Sequence, residues 1–265
     1  MIRIFVGCSA NAEDAESQAV LEYSIRKNTK AEVDITWMRL SRDPASPFYS
    51  EPEKKLGWRN DSWATPFSGF RWAIPELCGF EGRGIYCDSD FIFLADIEEL
   101  WNQELRPGKV VLAKGGHASW RYCCSVWDCA AVAGLGIIPP LEKLRADPRS
   151  HHNLMKWFAE HPGVVQQFEG NWNCLDGEGL KLDDPRLKAL HYTKMDHQPH
   201  LRHALPRLAK AGRKHWFERL HGRPISRHPR TDVQTLFDLM LAEAHSAGYP
   251  VSKYEEDVPL FGDYR

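Results

Sequence analysis

Short apolar runs alternate with amphipathic stretches through the first half of the chain. IRIFVGC, beginning at Ile2, is rich in β-branched residues and long enough for one strand. A polar loop, SANAEDAES, follows it. Val20, Leu21, Ser24 and Ile25 then recur at helical spacing in SQAVLEYSIRKNT, and AEVDITWMRL alternates through Val33, Ile35 and Trp37 as a second strand. Strand, helix and strand in that order predict the β-α-β opening of a parallel α/β sheet. SRDPASPFYSEPEKKLGWRNDSW breaks the pattern with Pro, Ser and charge, and irregular segments of that length inside a domain are usually functional or mobile.

Helical periodicity resumes in TPFSGFRWAIPELCGF, where Phe70, Ala73, Ile74 and Leu77 share a face. Gly82 and Gly84 turn the chain into IYCDSDFIFL, where the Asp pair is read as ending a strand. ADIEELWNQEL predicts a short helix, GKVVLAK and YCCSVWDCAAV strands, and HHNLMKWFAEH a helix closed by Pro162 and Gly163. From QFEGNWNCLDGEGL onward the pattern weakens, until DVQTLFDLMLAEAHSAG gives an amphipathic helix ending at Gly248. No internal repeat or low-complexity tract interrupts the chain. The expected architecture is one α/β domain over residues 1–265, with a mostly parallel central sheet flanked by helices, a basic segment at about 186–230 and a terminal helix at about 231–248.

Composition narrows the class. With 43% hydrophobic and 11% aromatic residues, 265 residues can bury a core without disulfide or metal staples. The apolar run at the start is too short for a signal peptide or a membrane span, so a cytoplasmic location is expected. Seven cysteines include no C-x-x-C pair, and an odd number without an export signal predicts buried free thiols rather than a zinc site. Cys124 and Cys129 read as small buried residues of a strand. Net charge is −2, but twelve Lys/Arg against Asp196 and Glu218 give residues 186–230 an excess of +10.

Chemistry concentrates at Asp88-Ser89-Asp90, which closes one apolar run and opens another. In extended backbone, residues i and i+2 face the same way, so the two carboxylates converge while Ser89 points away. Ligand crevices of open α/β sheets lie beyond the carboxyl ends of strands. A divalent cation is the natural occupant, because two close carboxylates otherwise repel until one takes a proton. The plain alternative is a surface turn or helix cap, which the apolar flanks disfavour.

The stretch FSGFRWAIPEL…GRGIYCDSDFIFLADIEELW resembles the signature of glycosyltransferase family 8, in which a tyrosine-bearing strand leads to D-x-D and an I-x-E-L helix. HYTKMDHQPH, about a hundred residues on, is similar to the family's His-aromatic element ending in a Pro-aromatic step. The resemblance spans roughly residues 2–200 and implies a GT-A fold and retaining transfer of a sugar from a nucleotide donor, usually a UDP-sugar, with Mn²⁺ or Mg²⁺. It implies Asp88, Asp90 and His191 as metal ligands and Arg71 as a donor-facing cation, with Ser89 at the same donor site. Ser9 and Asn11, in the loop after the first strand, stand where the family meets base and ribose. Asn173 and Asp176 of NWNCLDG, similar to the family's Asn-bearing segment, are the catalytic candidates for the sugar or acceptor pocket, against a simple Asn/Asp/Gly turn. The chain departs from the pattern where the family's phosphate-contacting lysine is Gln198, leaving Lys194 or His197 to supply a cation. The family's Asp-Gln step before the Asn-bearing segment has no counterpart.

The basic stretch has three readings: contact with anionic lipid head groups or a lipid-linked acceptor, phosphate contacts to nucleic acid, or a solvated face. No nucleic-acid motif accompanies it, and the resemblance favours the first, placing the protein at the inner face of a membrane. The expected partners are a nucleotide sugar and a glycan or lipid-linked acceptor. Two rival functions remain: nucleotidyl transfer, for which a Gly-rich phosphate loop is lacking, and non-catalytic nucleotide-sugar binding.

Overall fold

The computed structural model describes residues 1–59, 63–116, 120–221 and 225–261, side chains 219–221 excepted; the NDS of the irregular segment and Arg223 of the basic stretch fall outside these. The predicted β-α-β opening is present: β1 (Ile2–Gly7), α1 (Ala15–Asn28) and β2 (Val33–Met38), with β1 parallel to β2 and Ile4 opposite Ile35. A small hairpin, β3 (Ser50–Glu51) and β4 (Leu56–Gly57), occupies the irregular segment. The helical run at 70–77 is a 3₁₀ turn, Phe70–Ala73, continued by α2 (Ile74–Leu77), with Pro75 in its first turn, where a missing N–H costs nothing.

β5 (Arg83–Asp88) and β6 (Phe91–Phe93) follow, then α3 (Ile97–Trp101), capped by Asp96, which accepts the Glu98 N–H at 2.9 Å. The chain continues through β7 (Val111–Lys114), β8 (Arg121–Asp128), α4 (Cys129–Gly134), α5 (Leu141–Ala146), α6 (Ser150–Glu160) and β9 (Val165–Gln167). It ends with β10 (Cys174–Leu175), β11 (Ala189–His191), α7 (Leu201–Lys210), α8 (Trp216–His221) and α9 (Thr231–Ser246). Gly248, at φ 89°, lies just beyond α9, where a left-handed turn ends the helix.

Six strands form the main sheet in the order β2-β1-β5-β8-β7-β9, and only β8 runs against the rest. Its inner strands β1, β5 and β7 are buried on both faces, as a mostly parallel sheet covered by helices requires. Ile4, Val6, Ile85, Cys87, Leu112 and Val126 pack with Leu21 and Ile25 of α1 on one side. Phe5, Tyr86, Ala113 and Trp127 pack on the other with Trp72, Phe158 and the aromatic residues of the irregular segment. Trp72 stacks on Phe158 with ring centroids 5.5 Å apart, and its Nε1–H donates to His151 Nδ1 at 2.9 Å.

The strand end expected at the Asp pair is present: β5 stops at Asp88 in the main sheet, and β6 pairs with β11 in a second sheet ordered β10-β11-β6. The break falls at Ser89, whose N–H donates to the Gly7 carbonyl at 3.1 Å and whose hydroxyl donates to Asp14. Those bonds hold the chain at the edge of the main sheet while Asp90 and Phe91 turn away from it.

The charge excess of residues 186–230 is answered in part within the fold. Among the described residues, ion pairs join Arg186 to Asp184, Lys188 to Glu99, Arg202 to Asp238, Arg207 to Glu16 and Glu255, Arg213 to Glu255, and Arg230 to Asp232. All six of those partners lie outside the stretch, Asp184 and Asp232 just beyond its two ends, so the local count overstates the field offered to a membrane. Among the described residues no helix is long and apolar enough to cross a membrane.

Candidate active site

Asp88 ends β5 opposite Gly7 of the parallel strand β1, so its carboxylate emerges at the carboxyl edge of the sheet. Tyr86, two residues earlier and therefore on the same face, donates its hydroxyl to Asp88 Oδ1 at 2.7 Å. The Arg71 guanidinium stands 3.5 Å from the same oxygen, 4.8 Å over the Tyr86 ring, and is held by its Nε–H donating to the Ser68 carbonyl at 2.7 Å. Burial pushes the Asp88 carboxyl up to about 6; Arg71 opposes this, and the charge of Asp90 adds to it.

His191 arrives from the second sheet. The antiparallel register sets it opposite Phe91, the residue after Asp90, and its ring stacks on Phe91 with centroids 4.2 Å apart. Nδ1 lies 2.8 Å from Asn173 Oδ1; an amide oxygen only accepts, so Nδ1 carries the proton and Nε2 faces the carboxylates. Nε2 is 3.3 Å from Asp90 Oδ1. Burial alone would lower the imidazole's pKa, but Asp90 and Cys123 together outweigh it and hold the ring well above its ordinary value. Asp90 Oδ2 accepts from Gln198 Nε2 at 2.7 Å, whereas Oδ1 is buried with the His191 imidazole as its near neighbour. A buried carboxylate oxygen facing an imidazole whose other nitrogen is fixed is an arrangement that a divalent cation completes by displacing the imidazole's proton. The residues therefore fit such an ion.

Sequence reasoning missed Cys123. The β5–β8 register pairs Cys87 with Cys124, so the next position outward sets Cys123 beside Asp88. Its Sγ accepts from Asn173 Nδ2 at 3.4 Å, and ligand atoms of Asp88, Cys123 and His191 all lie within 4.8 Å of one another. All seven cysteines are free; six are buried and Cys123 is half-buried. The available signal was strand alternation, which puts Cys123 on the face of Ser125 and opposite Cys124. Asp14, also missed, accepts the Ser9 N–H at 3.0 Å, Gln18 Nε2 at 2.8 Å and the Ser89 hydroxyl, tying the loop after β1 to the D-x-D step. Lys114 donates to the Asn173 carbonyl at 2.7 Å and to Glu178.

The remaining candidates lie around this cluster. Ser9 and Ser89 are both buried on the Asp14 side. Asn11, at φ 61°, spends its side-chain amide on the Phe261 backbone, donating to the carbonyl at 3.0 Å and accepting the N–H at 2.6 Å. Asp176 is buried against His228 Nε2 at 2.9 Å; burial raises its pKa, but that imidazole more than offsets it and holds the carboxyl below its usual value. Lys194 is exposed in a turn, its carbonyl accepting the His197 N–H at 3.1 Å. A cavity of about 20 Å³ touches Ser9, Asp14, Ser89, Asp90 and Gln198. A larger one, about 560 Å³, reaches Gln198, Leu201, Leu205, His228 and Gln234 but neither aspartate of the pair. Gln198 thus borders both.

Gly7 makes the Asp88 geometry possible. A Cβ there would penetrate the Tyr86 hydroxyl and lie 2.9 Å from the Phe67 ring. Gly7→Ala is expected to push Tyr86 off Asp88 and to cost about 1–3 kcal/mol as overpacking does; a thermal melt matching the wild type would contradict this.

The sheet order, the reversed strand β8 and the acidic step at the sheet's carboxyl edge place the chain in the GT-A fold. Solved glycosyltransferases share it. The apo form of GlyE from Streptococcus pneumoniae gives a TM-score of 0.54 at 12% identity, covering 94% of this chain and 65% of that one. The galactosyltransferase LgtC, in complex with donor and acceptor sugar analogues, gives 0.50 at 12% identity over 86% of this chain and 98% of that one. The bifunctional enzyme WbbM gives 0.53 at 14% identity over 85% of this chain, which spans only 52% of the WbbM chain. No family model matches the sequence. Protein CDI of Arabidopsis thaliana is 35% identical over 216 residues, 72% of this chain and 77% of that protein, and the chain belongs to the same family as Protein CDI.

Proposed function

We propose that the protein is a retaining, metal-dependent glycosyltransferase of the family 8 type, moving a hexose from a UDP-sugar to a glycan, lipid-linked or small acceptor in the cytoplasm. One observation carries the reading: at the carboxyl edge of a GT-A sheet, ligand atoms of Asp88 and His191, about a hundred residues apart, lie within 4.8 Å of one another, and Asp90 Oδ1 stands 3.3 Å from the same imidazole's Nε2. Those three side chains would hold Mn²⁺ or Mg²⁺. When bound, such an ion supplies positive charge to a diphosphate leaving group.

The chain's own groups then have separate tasks. Asn173 sets the His191 tautomer, which makes it a positioning residue. Arg71 gives Asp88 a permanent positive neighbour and faces the donor. Ser9 and Ser89, joined through Asp14, border the space for base and ribose, with the backbone of Asn11 beside them. Lys194, exposed next to the metal-binding turn, is a mobile point charge for phosphate. Asp176 and its partner His228 lead toward the larger cavity, which suits the acceptor.

A panel of nucleotide sugars tested for thermal stabilisation with and without Mn²⁺ addresses the donor, since a ligand bound to the native state raises the melting temperature by mass action. Metal-dependent stabilisation by a UDP-sugar, with slow UDP release in the absence of acceptor, is the expected result. Pyrophosphate release from a nucleoside triphosphate and a sugar phosphate would replace this reading with nucleotidyl transfer. Binding without turnover against any acceptor would leave a binding module.

A further inference from the structure

We infer that Cys123 is a ligand of the same cation, so that the centre combines oxygen, nitrogen and sulfur donors and prefers a thiophilic divalent ion such as Co²⁺ or Zn²⁺ to Mg²⁺. The inference rests on the metal reading above and extends it to a residue that the D-x-D and histidine motifs do not contain.

Three observations support it. The ligand atoms of Asp88, Cys123 and His191 lie within 4.8 Å of one another. Donors bound to one ion at about 2.0–2.3 Å each stand within about 4.6 Å of one another, so the cluster closes on a cation with small side-chain shifts. Second, one residue orients two of the donors. Asn173 is fully buried, accepts from His191 Nδ1 at 2.8 Å and donates from Nδ2 to Cys123 Sγ at 3.4 Å. Its two ends demand opposite partners: a nitrogen that carries hydrogen, leaving Nε2 for a metal, and a sulfur that accepts, as a metal-bound thiolate does. Third, Cys123 alone of the seven cysteines is half-buried rather than buried, with its strand neighbour Cys124 turned into the core on the opposite face.

Sulfur ligation would change the ion the site selects. Carboxylates alone suit Mg²⁺ or Mn²⁺, whereas thiolate shifts preference toward softer ions. On binding, the sulfur–hydrogen bond breaks, the electron pair stays on sulfur to form the sulfur–metal bond, and the proton passes to solvent. No oxidation occurs.

The test uses the full chain, stripped with a chelator and titrated with Co²⁺. Wild-type protein should give visible d–d absorption together with a near-ultraviolet thiolate-to-cobalt charge-transfer band. Cys123→Ser should keep the visible bands, lose the near-ultraviolet band, and bind Co²⁺ at least tenfold more weakly while its Mg²⁺ affinity changes little. Cys123→Ala, with a thermal transition like the wild type's, controls for the serine hydroxyl. A near-ultraviolet band unchanged in both variants, or absent from the wild type while the visible bands are present, overturns the assignment of Cys123 and leaves the metal site standing. No cobalt spectrum in the wild type overturns the metal reading and this inference with it.

Discussion

Asp88→Asn should abolish metal-dependent UDP binding and lower sugar transfer by at least about a hundredfold while leaving the fold at least as stable as the wild type. The catalytic half follows from the loss of an ionic ligand at the place where leaving-group charge must be met, an effect of about 10²–10³ for a single electrostatic contact in other enzymes. The stability half follows from burial. The Asp88 carboxyl sits at about 6 in the fold, above its ordinary value, so the native state binds a proton more tightly there than the unfolded chain does. Its contribution to stability is therefore greatest below the unfolded value and is lost as pH rises through about 6. Asparagine removes that loss. Arg71 keeps the Ser68 carbonyl and the Tyr86 ring when the charge disappears.

The same carboxyl predicts the pH dependence. Metal and proton compete for it, so with only Asp88 titrating, apparent metal affinity should fall about tenfold per unit below pH 6. His191, whose pKa Asp90 and Cys123 raise, gives up its Nε2 proton to the metal as well, which adds to the slope over a higher range. In Asp88→Asn the break near 6 should be missing. Calorimetric titrations at several pH values measure both, and a wild-type affinity independent of pH between 5 and 7 would be incompatible with the site.

The second large effect is on stability alone. Trp72→Ala should cost about 3–5 kcal/mol, the range for removing a buried tryptophan or phenylalanine side chain. Trp72 is fully buried, stacks on Phe158, and meets the edge of Trp127 at 5.7 Å between centroids. Its indole N–H is also the donor to His151 Nδ1, so truncation leaves that ring nitrogen without its partner. At about 2–4 °C per kcal/mol for a domain approaching this size, the melting temperature should drop by about 10 °C. A decrease under about 2 °C would mean that the aromatic layer closes over the gap.

Much of the fold was legible because its determinants are local. The β-branched run of β1, the helical spacing of Val20, Leu21 and Ile25, and the apolar face of α9 each fix an element within a dozen residues. The strand's end at the Asp pair was legible too, but the bonds that fix it at Ser89 were not, since they run to Gly7 and Asp14, residues that are distant in sequence. In the candidate site, the two aspartates are visible as a step ending an apolar run. His191 had no local signal among twelve histidines and was reached through motif resemblance. Cys123 and Asn173 meet only because β8 and the segment before β10 converge on one edge, information that spacing does not hold. In the basic stretch a charge count along the chain cannot see Glu16, Glu99, Asp238 and Glu255 folding back onto part of it.

Crystals grown with Mn²⁺ and UDP, with anomalous scattering measured at the manganese absorption edge, test the central claim most directly. The account predicts one strong peak within bonding distance of Asp88, Asp90 and His191, with diphosphate oxygens completing its coordination. A fully formed UDP complex whose only manganese peak lies away from those three side chains would contradict it.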